Sequence, residues 1–404
     1  MDDKGIPLNH GIPQEIIRDI FSRLPVKSLT RFRSLSKWWF NHLKTREFIG
    51  DHLHRSTQIN NSLLLHRFEE SELYSLRSEI SELEAVHIPT NNNFTFGLEI
   101  VGSCNGVLCV SHSYPLFSSD CISLWNPATK EVKILPPTAK GAIAGMELST
   151  FAIGFGFNSD TDDYNIVTIN VFMSNIYSDS EDAFYDAENV GEEVPDRLVQ
   201  VQVYSLNSQS WKEIKDVGDV SLPPDFFDIE EHYLTANGAL FWMTNGHCDF
   251  ILSFVMANEV LQRIALPDSV TSSDKKKLAM YKESVAMLVM KHKETEGLGY
   301  SVELWMMMKG INNGDDCWSM LFEVNVCTEP FVIEELPVGF WKDELVIQAK
   351  EASNDSDEAA LFLFNPNSIE RKKLPTHGSE FSYIDFNYAE SLVPLGDSEV
   401  EEAS

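Results

Sequence analysis

The feature that most constrains what this chain can fold into is a strand–turn–strand unit that recurs along most of its length. Residues 124–129, which read LWNPAT, lead through Val132 to a Leu-Pro pair at residues 135–136. Residues 363–368, which read LFNPNS, lead to a Leu-Pro pair at residues 374–375, with the same spacing from Asn-Pro to Leu-Pro. Each copy predicts a strand that ends in an aromatic residue, a tight turn and a return strand.

Three weaker copies extend this pattern, and their spacing predicts a β-propeller. The five aromatic anchors lie 79, 50, 51 and 59 residues apart. A repeat of this length with hairpin content is typical of propeller blades with four strands each. The anchors are Trp125, Tyr204, Phe254, Trp305 and Phe364.

Strand-like residues are left over at both ends of the repeat. We expect residues 62–88 and 380–395 to join in one further blade, because a ring closed in this way has no open sheet edge between its ends. The predicted fold class is therefore mainly β, with a small N-terminal three-helix unit followed by a closed β-propeller of six blades. Five and seven blades remain open alternatives.

The first 50 residues read as helices. Pro13 suits the first turn of a helix, and an apolar stripe at helical spacing follows it from Ile16 to Leu24. Pro25 ends that helix, a second stripe follows it, and a third short apolar cluster surrounds Trp39. Three helices of this size bury little surface, so we expect some of these side chains to contact a partner protein. A self-contained three-helix core is the alternative.

Charge is distributed unevenly along the chain, and it restricts the class of partner. The formal net charge is 31 − 62 = −31, whereas residues 1–55 carry ten basic and six acidic side chains and are net positive. The remainder, with 21 basic and 56 acidic side chains, carries −35. Such a body repels phosphate, so we predict no direct nucleic-acid binding, and a basic protein is the natural complement.

The acidic residues are concentrated in three segments. Residues 179–196 hold eight acidic side chains and no basic one, which predicts a solvated insertion between strands. Residues 351–358 form a second acidic loop, and residues 396–404 are expected to be a disordered acidic tail.

No targeting or membrane-spanning segment is predicted from the sequence. The first residues are acidic and lack an apolar stretch behind them, and the run from Phe250 to Ala257 is too short to span a bilayer. The six cysteines show no CxxC spacing, which fits a reduced compartment. We therefore expect no membrane insertion and a cytoplasmic or nuclear location.

The search for a catalytic or metal site finds no complete motif. The run Gly154-Phe155-Gly156 lacks the third glycine and the lysine of a phosphate-binding loop. Cys104, Cys109, His112 and Cys121 are close enough in sequence to raise the question of zinc. We favour packing for this group, because a buried cysteine behaves as a small hydrophobe.

Two further groups are also interpreted as structural. His247-Cys248-Asp249 would place adjacent side chains of an extended chain on opposite faces, so they pair poorly. Residues 160–163 have the carboxylate density of a calcium loop but lack its downstream glutamate. The tryptophans of the repeat are interpreted as blade core. We therefore predict no catalytic residue, no metal ligand and no cofactor.

The N-terminal stretch resembles the plant form of the F-box in the order and spacing of its residues. The matching positions are Ile12-Pro13, Ile16-Ile17, Ile20, residues 24–29 (LPVKSL), Arg31-Phe32-Arg33, Leu35-Ser36-Lys37 through Trp39, then Leu43 and Phe48-Ile49. This chain departs from the pattern by an additional Trp38.

The rest of the chain is similar to the plant kelch-like F-box-associated domain. The supporting stretches are residues 102–108 (GSCNGVL), 125–129 (WNPAT), 154–157 (GFGF) running to 162–164 (DDY), 203–206 (VYSL) to 210–212 (SWK), and 302–307 (VELWMM). The resemblance lies near the subgroups that regulate immune receptors and near the S-locus F-box proteins, and the long acidic insertion is a departure from them.

The resemblance implies three segments: an F-box at residues 1–55, a kelch-like propeller for substrate recognition at residues 56–395, and the acidic tail at residues 396–404. It implies a non-catalytic substrate receptor of a Skp–cullin–F-box (SCF) ubiquitin ligase, bound to a Skp-type adaptor and through it to the cullin and RING subunits. The target would be a protein marked for proteasomal degradation. The implied adaptor-binding residues are Ile12, Pro13, Ile16, Ile17, Ile20, Leu24, Pro25, Val26, Leu29, Phe32, Leu35, Ser36, Lys37 and Trp39.

Two alternatives of other classes remain open. One is an F-box scaffold that binds the adaptor without delivering a substrate for degradation. The other is a kelch-type propeller enzyme, such as a copper oxidase or a sialidase, which would need a His/Tyr cluster or repeated Asp-box turns.

Overall fold

The structure is a computed structural model that describes most of the chain. The described residues are 13–33, 37–59, 62–67, 72–76, 84–87, 98–112, 121–138, 146–174, 197–215, 226–246, 249–292, 299–308, 317–327, 331–332, 337–341, 343–351, 359–368, 370–376, 381–396 and 399–400.

Four helices and 26 strands are described, in chain order. The helices are α1 (Gln14–Phe21), α2 (Val26–Phe32), α3 (Lys37–His42) and α4 (Arg46–Ile59). The strands are β1 (Ser62–Arg67), β2 (Glu72–Leu76), β3 (Glu84–His87), β4 (Leu98–Cys104), β5 (Val107–His112), β6 (Cys121–Asn126), β7 (Glu131–Ile134), β8 (Met146–Asn158), β9 (Asp163–Ser174), β10 (Arg197–Ser205), β11 (Ser210–Ile214), β12 (Phe226–Ala236), β13 (Ala239–Gly246), β14 (Phe250–Val255), β15 (Val260–Ala265), β16 (Lys275–Tyr281), β17 (Ser284–His292), β18 (Gly299–Met308), β19 (Cys317–Cys327), β20 (Phe331–Val332), β21 (Gly339–Trp341), β22 (Glu344–Glu351), β23 (Ala359–Phe364), β24 (Arg371–Lys373), β25 (Phe381–Tyr388) and β26 (Glu399–Val400).

The N-terminal helical region has four helices, so the prediction of three was wrong. Residues 46–59 form a fourth helix, α4, of 14 residues. The sequence pattern shows only two apolar residues at its start, Phe48 and Ile49. Its buried stripe is Phe48, Ile49, His52 and Ser56, at helical spacing. Two of these four are polar, which hides the apolar periodicity that sequence analysis looks for.

The chain divides into two compact units, of which the first comprises residues 1–135, 354–365 and 369–404. Besides the helices it contains a four-stranded sheet in the order β25-β1-β2-β3 and a five-stranded sheet in the order β26-β7-β6-β5-β4. In the first sheet Leu64 lies opposite Asp385 and Leu65 opposite Ile384. The prediction that the two ends of the β region share one sheet is therefore confirmed.

The second unit comprises residues 136–353 and 366–368. It contains three four-stranded antiparallel sheets, in the orders β11-β10-β9-β8, β12-β13-β14-β15 and β16-β17-β18-β19. Strands β20 and β21 each pair with β22, and in the first unit β23 pairs with β24. Five complete sheets are thus described within single units, while the six-blade count and the closure of a ring stay predictions.

Within each unit, successive sheets bury apolar faces against one another. Leu240, Trp242 and Phe254 of one sheet share a core with Val167 and Ile169 of the sheet before it. The other face of the sheet β12-β13-β14-β15 packs in the same way against the sheet β16-β17-β18-β19, through residues such as Met287 and Trp305 of the latter. In the first unit a third core joins the sheets of β1 and β5. The tryptophans Trp125, Trp242 and Trp305 belong to these cores, as predicted.

The five copies of the sequence repeat are all strand–turn–strand hairpins, which confirms that interpretation. They are the pairs β6–β7, β10–β11, β14–β15, β18–β19 and β23–β24. In three of them the residue before the return strand has a positive φ: 62° at Lys130, 53° at Gln209 and 58° at Glu259. A left-handed residue at this point is typical of short hairpin loops that end in a bulge.

The asparagine of the first copy links its turn to the C-terminal part of the chain. The Asn126 side chain is fully buried, and its Oδ1 accepts the backbone N–H of Ala128 at 3.0 Å. Its Nδ2 donates to the carbonyl oxygens of Ser391 and Val393, at 3.2 and 2.9 Å. One side chain therefore satisfies buried backbone groups on both segments, which stabilises their packing.

Asn-Gly before an apolar strand is a sequence pattern that predicts a tight hairpin turn, and two Asn-Gly pairs of this chain form such turns. Asn105 and Gly106, between β4 and β5, have φ of 51° and 76°, and Asn237 and Gly238, between β12 and β13, have 51° and 73°. A turn with two left-handed residues matches the twist of the strands it joins. The turn at residues 282–283 has the same signs of φ, 47° and 63°, without a glycine.

The two Asn-Gly turns offer a matched test of packing. A Cβ on Gly106 would overlap the Ala389 carbonyl oxygen and come within 2.9 Å of the Ser391 Cβ, whereas a Cβ on Gly238 would meet nothing within 4 Å. We expect Gly238→Ala to cost roughly 1–2 kcal/mol, the strain of a left-handed alanine. Gly106→Ala should cost about 1–3 kcal/mol more, because the packed segment must move. Chemical denaturation of both variants checks this, and equal losses would contradict the packing argument.

Candidate functional site

The helical region is joined across its first and last helices by ion pairs. Arg18 of α1 contacts Glu47 at 2.6 Å and also Asp51, both on α4. Asp19 contacts Arg55 of α4 at 2.6 Å and Arg23 at 3.0 Å. The hydrogen bonds from the two arginines lower the pKa of the Asp19 carboxyl. These pairs connect α1 to α4. Because the groups are largely exposed to solvent, each pair adds little stability.

Beneath these pairs lies an aromatic core. Phe21 stacks on Trp39 with ring centroids 3.9 Å apart and contacts Phe32 at 5.2 Å. Phe48 is fully buried, with its ring 5.6 Å from His42 and 6.3 Å from His52. The helical region therefore has a core of its own that draws on all four helices.

His52 connects this core to the turn between α1 and α2. Its side chain is buried, and Nε2 lies 2.9 Å from the Leu24 carbonyl oxygen, a geometry in which an N–H at Nε2 donates to that oxygen. Its Nδ1 has no hydrogen-bond partner among the described residues. Burial lowers the pKa of the imidazole, against the effects of the Leu24 carbonyl and of Glu390. The neutral ring thus holds the Leu24-Pro25 turn in place.

The exposed apolar residues of the helical region form the candidate protein-binding surface. Ile16 and Ile20 of α1 are 51% and 47% exposed, and their i, i+4 spacing places them on one face of the helix. Pro13 at the start of α1 and Pro25 at the start of α2 are exposed as well. We call Pro13, Ile16, Ile20 and Pro25 the α1 surface.

Three residues of the predicted adaptor-binding set are buried in this structure. Val26 and Leu29 are fully buried, and Trp39 is 7% exposed and stacked on Phe21. They support the surface from within and cannot contact a partner in this conformation.

The remaining predicted residues fall into three groups. Lys37 is exposed, and Ile17, Leu24 and Phe32 are half-buried. Ile12, Leu35 and Ser36 lie outside the described residues. Sequence analysis missed exposed Phe40, whose ring lies 4.0 Å from the Lys44 ammonium.

Two of the groups considered for chemistry have a packing role in the described residues. A Cβ on Gly154 would come within 2.6 Å of the Trp242 ring, so the glycines of this run allow close packing of two sheets. Cys109 is fully buried, which raises the pKa of its thiol. In the described residues, no cluster of three or more His, Cys, Asp or Glu side chains is placed to hold a metal ion. His247 and Cys248 lie outside the described part.

Sequence analysis also missed a buried charged network around the loop before β16. Lys276 contacts Asp249 at 2.5 Å, each side chain being 6% exposed, and it donates to the carbonyls of Thr271 and Asp274. Lys291 contacts Asp274 at 2.5 Å. Burial opposes ionisation of Asp274, but bonds from Lys291 and Thr271 outweigh it and lower its pKa. The network fixes the loop before β16.

None of the helices that the structure describes combines the length and apolarity needed to cross a bilayer.

Comparison with protein families identifies the class of both parts. Residues 10–49 match the F-box domain, and residues 65–395 match the F-box associated beta propeller domain. These two domains together define the F-box proteins with a propeller. The chain belongs to this family, and its relatives make it a plant F-box protein.

Several Arabidopsis thaliana proteins are similar to this chain. F-box protein CPR1 is 29% identical over 275 residues, which are 65% of this chain and 62% of that protein, so less than two thirds of that relative is matched. F-box/WD-40 repeat-containing protein 1 is 25% identical over 99% of this chain and 92% of its own length. Putative F-box protein At1g12190 is 24% identical over 95% of both.

We expect the helical region to lose stability as the pH falls below about 6.5, the ordinary pKa of histidine. Burial lowers the pKa of His52, and burial and the charge of Arg18 lower that of His42. The unfolded chain then binds protons more readily than the folded chain, so acid favours unfolding. Hydrogen–deuterium exchange of peptides from α4, corrected for intrinsic rates, measures this in the full chain.

His52→Gln is the matched variant, because a glutamine amide can still donate to the Leu24 carbonyl but does not titrate. The pH dependence of exchange should become weaker, with His42 supplying what remains. An unchanged pH dependence in His52→Gln would show that His52 is not the group responsible.

Proposed function

We propose that this protein is a non-catalytic substrate receptor of an SCF-type ubiquitin ligase, binding a Skp-type adaptor through its helices and a target protein through its propeller. The observation that carries the proposal is the pair of exposed isoleucines on α1, within the segment that matches the F-box. Exposed apolar side chains on a small, otherwise well-packed helical region are typical of a protein interface.

The proposed mechanism is proximity. The adaptor would connect the helices to the cullin and RING subunits, and the propeller would hold a target lysine near the ubiquitin conjugate. Holding two reactants in one complex raises their effective concentration without any catalytic group from the receptor. Such a receptor works where the adaptor is found, in the cytoplasm or nucleus, and its target would pass to the proteasome.

The proposed adaptor contacts are the α1 surface together with exposed Lys37 and half-buried Ile17, Leu24 and Phe32, the predicted residues whose side chains reach the surface. Val26, Leu29 and Trp39 act as the core that holds them. Ile12, Leu35 and Ser36 complete the proposed set from the sequence. The helical region would be the unit of residues 1–55 and the propeller that of residues 56–395, followed by the tail at residues 396–404.

The adaptor contact is tested by Ile16→Ala together with Ile20→Ala. Both side chains are about half exposed, so truncation should leave the fold intact. Central apolar anchors of an interface cost about 2 kcal/mol or more on truncation, which corresponds to roughly 30-fold weaker binding to a plant Skp adaptor. Isothermal titration calorimetry with the purified adaptor gives the measurement.

The matched control is Ile134→Ala with Leu198→Ala, two apolar residues of similar exposure on strands. This variant should bind the adaptor like the wild type. If the α1 double variant also binds like the wild type, the adaptor contacts another surface. Target half-life on depletion of the receptor then separates a degradation receptor from a scaffold, because a scaffold leaves the half-life unchanged.

We further propose that the propeller has six blades and that the sheet β25-β1-β2-β3 closes the ring. The pairing of β1 with β25 supports this, because it joins the two ends of the β region in one sheet. A fragment of residues 60–404 should then unfold cooperatively. A fragment of residues 90–404 lacks β1, β2 and β3, so it should melt at lower temperature or aggregate. Equal melting of the two fragments would contradict closure through β1.

A further inference from the structure

The outer hairpin of one sheet in the second unit exposes large apolar side chains. Met308 at the end of β18, and Met320 and Leu321 on β19, are 42%, 48% and 42% exposed. Met320 and Leu321 are neighbours on β19, with Met320 opposite Trp305, whereas Met308 lies three residue pairs away opposite Cys317 and on the other face of the ladder. Leu321 lies at the register shift, where β19 carries one residue more than β18.

Strand β19 is the last strand of its sheet and pairs only with β18 among the described residues. The backbone groups of an edge strand that point away from its neighbour are a template for another strand. At 11 residues β19 is longer than the terminal strands β11, β15 and β24, which have five, six and three. Its length offers room for a bound segment of several residues.

The terminal strands β11, β15 and β24 carry charged residues of the kind that protect an edge, and the first half of β19 does not. Lys212 and Glu213 are exposed on β11, Arg263 on β15, and all three residues of β24 are exposed Arg or Lys. Residues 317–322 of β19 read CWSMLF, with no charge. Proteins place charges on edge strands to prevent strand addition, so their absence here marks an edge that is open to it.

The Trp318 side chain stabilises this edge in its position. The indole Nε1–H donates to the Ala265 carbonyl oxygen at 2.8 Å, and the ring packs in the core that the sheet shares with the preceding one. A docked strand would therefore meet a preformed edge and would not need to order it first. Preorganisation of this kind favours affinity.

Charge decides between the two candidate occupants, a second copy of this chain and a segment of another protein. Each copy carries a net charge of −31, so association of two copies brings like charges together. A basic segment gains from the same charge, since residues 56–404 carry 21 basic and 56 acidic side chains. Because residues 317–322 at the edge are uncharged and mostly apolar, a segment bound there is expected to carry apolar residues at alternate positions.

We propose that the outer edge of β19 at residues 317–322 binds an extended segment of a partner protein, with apolar residues alternating with Lys or Arg, as an added β-strand. Main-chain hydrogen bonds would supply affinity, and the exposed Met320 and Leu321 of β19 would contact apolar side chains of the segment. The inference rests on the proposed function in one respect: the partner would be the target that the ligase modifies. Strand binding itself needs no adaptor.

The experiment uses the full chain and a fluorescein-labelled nine-residue peptide that alternates Val with Lys. Fluorescence anisotropy should show saturable binding to the wild type. Met320→Lys with Leu321→Lys places two charges on the edge and should weaken binding at least tenfold. Both side chains are exposed, so the fold should be kept. Ile134→Lys with Leu198→Lys adds the same charge elsewhere and should bind the peptide like the wild type.

Two further peptides separate the physical causes. A peptide with Glu in place of Lys should not bind, and tight binding of it would overturn the charge argument. A peptide with proline at its centre should bind at least tenfold more weakly, because proline lacks the N–H that a ladder needs.

Three results would overturn the proposal. They are no binding of the Val-Lys peptide to the wild type, equal binding by both double-lysine variants, and a wild-type dimer in sedimentation that the β19 variant abolishes, which would make a second copy the occupant. Adaptor binding is measured on the same proteins. If the wild type does not bind the adaptor, the proposed function is contradicted. Binding of the peptide to β19 does not depend on that result.

Discussion

Face-to-face packing between successive sheets is the interaction on which the rest of this structure depends. A four-stranded sheet of this composition is apolar on both faces, and each face needs a neighbour. Trp242 and Phe254 cover one face of their sheet, and Phe241 and Met243 cover the other. Gly154 is a glycine because the indole of Trp242 occupies the place of its Cβ. The large apolar side chains of these sheets are thus used for packing between sheets.

Much of this arrangement could be predicted from the sequence, because it depends on local patterns. The aromatic anchors from Trp125 to Phe364 identified five hairpins, and Asn-Gly identified two turns whose residues need positive φ. The pairing of β1 with β25 followed from the strand-like residues left at each end. These inferences use periodicity and backbone preference, which a single sequence records directly.

The candidate site was harder to predict, since exposure depends on tertiary contacts. Val26 and Ile16 belong to similar apolar stripes, but one is fully buried and the other is half exposed. Nothing in the two stripes distinguishes these residues in the sequence. The ion pair of Lys276 and Asp249 could not be predicted either, because no local pattern brings together charges from separate parts of the chain. In the sequence, the edge of β19 appears only as a stretch without charged residues. It can be interpreted as a binding edge only when β19 is known to be the last strand of its sheet.

The sheet that contains β1 and β25 also sets when this protein can finish folding in the cell. The Ser62 hydroxyl donates to the Tyr388 carbonyl across 326 residues of chain. At ribosomal speeds of about 5–20 residues per second, roughly 16–65 seconds separate the synthesis of the two partners. During that interval β1 has one neighbouring strand instead of two, while the helices before it are already complete. The helices of a nascent chain are therefore complete before its first sheet is whole, and for that interval the segment directly after them is an unpaired strand edge, the kind of surface that chaperones shield.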